Sequence, residues 1–151
     1  MTRPLFSVVD HVGITVADLD RSVGFWERLL DTPGRDRGLL AGPRLGGLLG
    51  YPAGLRIETC WVDLPGGGAL ELLHYLDREE GPLPDGTAHP GNVHICLRVG
   101  DMATAHGHAV ACGARPVGEG PIEVAAGPNA GMRVAYLRDP DGVTVELRQL
   151  P

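Results

Sequence analysis

Two histidines and two glutamates stand at matched places in the two halves of this 151-residue chain. His11-Val-Gly-Ile-Thr-Val-Ala-Asp18-Leu aligns without a gap on His94-Ile-Cys-Leu-Arg-Val-Gly-Asp101-Met. Gly67-Gly-Ala-Leu-Glu71-Leu aligns in the same way on Gly142-Val-Thr-Val-Glu146-Leu. Each half therefore opens on a His and closes on a Glu. A lone His or Glu on a strand is more often a surface residue or a satisfied partner than a ligand. A matched pair in each half of a repeat is much harder to reach by accident, and repeats of this kind define an architecture. Two imidazole nitrogens and two carboxylate oxygens suit a borderline divalent ion such as Ni²⁺, Co²⁺, Zn²⁺, Mn²⁺ or Fe²⁺. The set contains no thiolate, so a closed structural zinc site is not expected. Four protein ligands on a six-coordinate ion leave two positions for water or substrate. Such an ion can polarise a carbonyl and stabilise an enolate. A ligating Glu can also leave the metal and serve as a base.

The elements that would position these residues follow from periodicity and turn chemistry. Residues 7–16 alternate as a strand. Asp18 is an N-cap for a helix reaching about Leu30, with Leu19, Val23, Trp26 and Leu30 on one face and Pro33-Gly34 beyond its end. Residues 55–64 and 69–76 read as strands joined by the turn Pro65-Gly-Gly-Gly68. A short strand is expected somewhere between residues 36 and 50. The second half repeats the order. A strand covers 92–99, and a helix runs from Asp101 to about Cys112 with Gly113 as its cap. Strands follow near 115–124, 132–138 and 143–149, and Asp139-Pro-Asp-Gly142 fits a type I turn. The expectation is an α+β fold of two βαβββ modules, residues 1–80 and 92–151, joined by a linker at 81–91.

Strand alternation then sorts the side chains. Val12, Ile14 and Val16 oppose His11, Gly13 and Thr15; Ile95, Leu97 and Val99 oppose His94, Cys96 and Arg98. Val143, Val145 and Leu147 oppose Thr144, Glu146 and Arg148, and Glu71 shares a face with Tyr75. The aliphatic face is the natural seat of each helix, which leaves the His and Glu on the other. Arg98 and Arg148 are candidates to neutralise an anionic group of a substrate. Tyr75 and Thr144 are candidates to hydrogen-bond one. The plain alternative for each is a surface or rim position. His106 and His108 fall on the second helix, outside the repeat, and are expected to face solvent. Gly127-Pro-Asn-Ala-Gly131 is either a loop beside the site or a simple turn.

Composition narrows the partners. The net charge is −6 and the arginines are scattered, so a nucleic-acid surface is not expected. No stretch approaches a membrane span and no signal peptide is visible, which places the chain in the cytoplasm by default. Cys60, Cys96 and Cys112 form no C-x-x-C pair, and three reduced thiols in or near the core are expected.

Four stretches together resemble the vicinal oxygen chelate superfamily, which includes glyoxalase I, methylmalonyl-CoA epimerase, extradiol dioxygenases, and fosfomycin and bleomycin resistance proteins. They are Asp10-His11-Val-Gly-Ile-Thr-Val-Ala-Asp18-Leu, Leu70-Glu71-Leu-Leu, Asn92-Val-His94-Ile-Cys-Leu-Arg-Val and Tyr136-Leu-Arg-Asp-Pro-Asp-Gly-Val-Thr-Val-Glu146-Leu. The resemblance implies that the paired modules form a cup-shaped mixed sheet around one metal ion. Its His-Glu-His-Glu set is most similar to the glyoxalase and epimerase branch. It implies a metal-dependent isomerase, epimerase or glyoxalase-type lyase that moves a proton next to a carbonyl of a small-molecule substrate. Glu146 and Glu71 are then the candidate bases. The epimerases carry a further Glu base, for which Glu58 is the nearest candidate. An Fe²⁺ extradiol-type dioxygenase and a metal-assisted binding or resistance protein are the alternatives; a fourth protein ligand weighs against the dioxygenase, and four intact ligands weigh against sequestration without metal. The resemblance also implies a homodimer.

Overall fold

The computed structural model describes residues 5–78, 81–82 and 86–151. The chain divides into two compact units, Met1–Glu79 and Glu80–Pro151. Residues 79–80, at the end of the expected first module, and 83–85 of the expected linker lie outside the described residues.

The first unit contains β1 (His11–Thr15), α1 (Leu19–Leu30), β2 (Arg35–Ala41), α2 (Leu45–Leu49), β3 (Arg56–Asp63) and β4 (Ala69–Tyr75). Its four strands lie in the order β1-β4-β3-β2. β1 runs parallel to β4, and the β4–β3 and β3–β2 pairs are antiparallel. Asp18 caps α1 as the sequence implies, its carboxylate accepting the Arg21 N–H at 2.9 Å. The helix ends in a left-handed residue at Asp31, two residues before Pro33. α1 buries Leu19, Val23, Phe25 and Trp26 against β3 and β4. Ile14, Cys60, Val62, Leu70 and Leu72 meet it from the sheet. Leu70 and Leu72 are fully buried, and the intervening Glu71 is not.

The second unit repeats this plan with β5 (His94–Arg98), α3 (Met102–Cys112), β6 (Arg115–Glu123), β7 (Arg133–Arg138) and β8 (Thr144–Gln149), in the order β5-β8-β7-β6. Asp101 caps α3 through the Thr104 N–H, and Gly113 closes it with φ 109°. Met102, Ala109 and Cys112 face the sheet, where Ala135, Leu137, Val145 and Leu147 are buried. The Asp139–Gly142 turn closes with Gly142 N–H donating to the Asp139 carbonyl. The buried Asp139 carboxylate accepts the N–H groups of Asp141 and Val143. Gly142 takes φ 91°, a conformation that favours glycine.

Two mixed four-stranded sheets with few helices make an α+β fold, as expected. The units differ in one element. The first inserts α2 after its second strand, so it reads βαβαββ rather than βαβββ. The strand sought between residues 36 and 50 lies at Arg35–Ala41, and the rest of that stretch holds the helix. Gly46 is buried in α2, where a β-carbon would collide with the Pro52 carbonyl.

Candidate functional site

Each sheet brings one His and one Glu together on the face its helix does not cover. In the first unit, His11 pairs in register with Ala69, and Gly13 with Glu71. In the second, His94 pairs with Thr144, and Cys96 with Glu146. The offset between His and Glu is the same in both. His11 Nε2 lies 3.4 Å from Glu71 Oε2, and His94 Nε2 lies 2.9 Å from Glu146 Oε2. The two Glu side chains keep 17% and 13% of their exposure, against 38% and 44% for the imidazoles. Both carboxylates are thus mostly shielded, and both imidazoles stand open above them.

The neighbours of the two pairs differ. In the first unit, Asp10 Oδ2 lies 2.9 Å from His11 Nδ1. The Trp61 ring stands edge-on to His11 at 4.9 Å between centroids, and the Arg35 guanidinium lies over Trp61. Asp63 and Asp36 hold Arg35 and raise its already high pKa further. A cavity of about 240 Å³ opens here, lined by Asp10, Arg35, Trp61 and Asp63 among others. In the second unit, Tyr136 is the register partner of Glu146 and takes the place of Trp61, its ring 5.8 Å from that of His94. The Tyr136 hydroxyl and the Cys96 thiol both donate to Glu146. Partial desolvation of the hydroxyl and thiol groups, then the charge of Glu146, pushes both up in pKa and keeps them protonated as donors.

The other candidates differ in placement, and Arg98 and Arg148 are register partners on the Glu146 face. Arg98 is exposed beside Cys96, and Arg148 is half-buried with its guanidinium against the Met132 sulfur and Asn129 Oδ1. Tyr75 is half-buried with its ring 6.0 Å from that of Tyr51, and burial raises its pKa. Thr144 is 1% exposed and its hydroxyl accepts from Arg138, so it is occupied inside the unit. Glu58 is in register with His74 and Leu39 and alternates with Trp61 along β3. It therefore lies on the helix side of the sheet, away from Glu71, and the proposed match to an epimerase base does not hold. Its carboxylate faces His74 at 3.5 Å.

Two expectations need correction. Cys96 is exposed on the pair's face instead of in the core, although Cys60 and Cys112 are buried. His106 is half-buried, its Nε2 shielded and without a hydrogen-bond partner among the described residues; His108 is exposed, near the Cys112 sulfur. Asp10, Trp61, Cys96 and Tyr136 had not been assigned to the site. The register shows all four. Asp10 precedes the His, Cys96 is two residues beyond His94, and Trp61 and Tyr136 sit opposite the two glutamates.

Among the described residues, no three His, Cys, Asp or Glu side chains gather into one coordination set. Each unit offers two donors, one imidazole and one carboxylate. The nitrogen and oxygen donors of each pair are of the type that a borderline divalent ion accepts, so in donor chemistry each pair fits part of the set the repeat implies.

Comparison with known proteins agrees with this plan. Residues 10–136 match the family model described as the glyoxalase/bleomycin resistance protein/dioxygenase superfamily. The chain is 28% identical over 142 residues to YwbC, an uncharacterized protein of Bacillus subtilis (strain 168), covering 93% of this chain and 96% of that one. Its fold is similar to the crystal structure of a glyoxalase family protein from Bacillus cereus, with a TM-score of 0.79 at 22% identity over 99% of this chain and 98% of the other. It is also similar to a glyoxalase I mutant from Zea mays, with a TM-score of 0.62 at 17% identity, over 91% of this chain and 43% of that chain. The chain belongs to the glyoxalase/bleomycin resistance protein/dioxygenase superfamily, the vicinal oxygen chelate group.

Proposed function

We propose that the chain is a metal-dependent isomerase, epimerase or glyoxalase-type lyase that moves a proton next to a carbonyl of a small oxygenated substrate. His11, Glu71, His94 and Glu146 would hold one divalent ion, Ni²⁺, Co²⁺, Zn²⁺, Mn²⁺ or Fe²⁺. The observation that carries this reading is the same His–Glu contact at the same register offset in both sheets. When bound, the ion supplies Lewis acidity that makes a C–H beside a carbonyl acidic.

The chain's own groups supply the rest. Asp10 is placed to accept from His11 Nδ1, the arrangement in which carboxylate–histidine ligand pairs turn Nε2 toward a metal. Tyr136 and Cys96 fix the Glu146 carboxylate from two sides. Glu71 receives no hydroxyl or thiol donor among the described residues and faces only His11 Nε2 at 3.4 Å, which favours it as the base. A Glu placed beside the carbon takes the proton and returns it to the same or a neighbouring carbon.

The test is exchange of carbon-bound protons of dihydroxyacetone with D₂O, followed by NMR, with Ni²⁺- or Co²⁺-loaded protein. Exchange above a metal-only control, lost on adding EDTA and lost in the His11→Ala/His94→Ala double variant, supports the proposal. Exchange that survives both treatments contradicts it. Oxygen uptake with a catechol and no proton exchange would move the assignment to an oxygenase.

A further inference from the structure

Two arginines stand side by side on the Glu146 face of the second sheet, one step along the strands from the His94–Glu146 pair. Arg98 on β5 is in register with Arg148 on β8, directly after the Cys96–Glu146 register pair two residues earlier. Strands rise about 3.3 Å per residue, so this places the guanidinium-bearing backbone roughly 7 Å from that of Glu146. Like charges directly opposite on neighbouring strands disfavour the pairing. No carboxylate pairs with either arginine among the described residues. The Arg98 guanidinium has no hydrogen-bond partner among them, and that of Arg148 is held by neutral groups, the Asn129 amide and the Met132 sulfur. Asn129 comes from the Gly127–Gly131 loop, which gives that loop a role in aiming Arg148. The first sheet has Thr15 and Leu73 at the equivalent register positions, with no charge at all.

We infer that Arg98 and Arg148 form an anion subsite, and that the substrate carries a carboxylate or phosphate a few bonds from the oxygens that meet the metal. The inference rests on the metal reading above. Two guanidiniums with open N–H groups are suited to such an anion, since they bind planar or tetrahedral oxyanions in bidentate fashion. An anion there would also offset the repulsion between the two arginines. Only the second half has this feature, so a substrate with one charged end would bind in one direction.

The test uses the full chain loaded with Co²⁺, whose visible spectrum reports on ligands at the metal. Each of two pairs of probes has one member with the distal anion and one without it: 2-oxoglutarate against its 5-methyl ester, and dihydroxyacetone phosphate against dihydroxyacetone. The expected result is binding of at least one probe with the distal anion roughly tenfold or more tighter than its partner without it, the scale of one charge-assisted contact. The pair that shows it distinguishes carboxylate from phosphate. The preference should shrink in Arg98→Gln, an exposed change that leaves the sheet intact, and vanish in Arg98→Gln/Arg148→Gln, while Co²⁺ affinity stays the same. Equal binding within both pairs, or a preference that persists in the double variant, overturns the inference and leaves the metal reading standing. Failure of the wild-type chain to take up Co²⁺ overturns both.

Discussion

In the first unit Asp10 braces His11, and Glu71 has no hydroxyl or thiol to hold it. In the second unit Tyr136 and Cys96 brace Glu146, and a valine precedes His94 where Asp10 precedes His11. The same His–Glu plan is thus fixed at its imidazole end in one half and at its carboxylate end in the other. On the proposed reading, the duplicated fold repeats the His–Glu pair for coordination, while the supporting residues differ between the halves. Those supports decide which ligand stays and which can move.

The largest effects should come from the carboxylates themselves. Glu71→Gln and Glu146→Gln should each lower metal-dependent proton exchange by about 10²–10⁴-fold, the usual contribution of a positioned base. Co²⁺ titration separates them, since removing the braced Glu146 should weaken metal binding more than removing Glu71. Equal weakening would break the comparison between the halves.

The helices offer a second contrast. α1 packs Phe25 and Trp26 at 0% exposure, whereas the buried α3 residues are Met102, Ala109 and Cys112. Trp26→Ala should cost about 3–5 kcal/mol in urea unfolding, and Met102→Ala about 2–5 kcal/mol. A Trp26→Ala cost below 1 kcal/mol would show that α1 does not anchor its sheet.

The braces come next. Asp10→Asn and Tyr136→Phe should each weaken metal binding by about 10–100-fold, as losses of outer partners do. Each can be read by competition against a chelating dye. A loss from only one of them would place the support in one half alone.

Helix caps give the smallest change. Asp18→Ala should destabilise by about 1 kcal/mol. Asp101 caps α3, and its hydrogen bonds with Thr104 hold its carboxyl below the usual carboxylate range. A depressed pKa in the folded state means that its support is present above the unfolded value and is lost as pH falls through the folded one. The stability gap between wild type and Asp101→Asn should therefore be constant near neutrality and close in acid. A gap that widened in acid would contradict this.

Much of this was legible in the sequence because the repeat is nearly free of gaps over the ligand strands. The alternation of Val12, Ile14 and Leu70, Leu72 against His11 and Glu71 assigns the faces without a structure. Asp18, Asp101 and Gly113 mark helix ends by local chemistry. α2 was not legible, because Leu45-Gly-Gly-Leu-Leu49 has two glycines in five residues and no capping side chain. Its helix depends on the close approach of Gly46 to Pro52, a tertiary contact that no local pattern announces. The braces around Glu146 were hidden for a related reason. Tyr136 and Cys96 reach it across two strand pairings, and their roles depend on a register that alternation alone does not supply. Glu58 shows the same point in reverse, since a one-residue choice of register decides which face it occupies.

The most direct test of the account is the number of metal ions held per chain. Protein loaded with Co²⁺ or Ni²⁺, desalted and measured by elemental analysis should hold one ion per chain if, as proposed, two His–Glu pairs make one four-ligand set. This number is the same whether the pairs come from one chain or from two. His11→Ala and His94→Ala should each lower it well below one. No metal in the wild-type chain, or two ions per chain with each pair acting alone, would contradict the account.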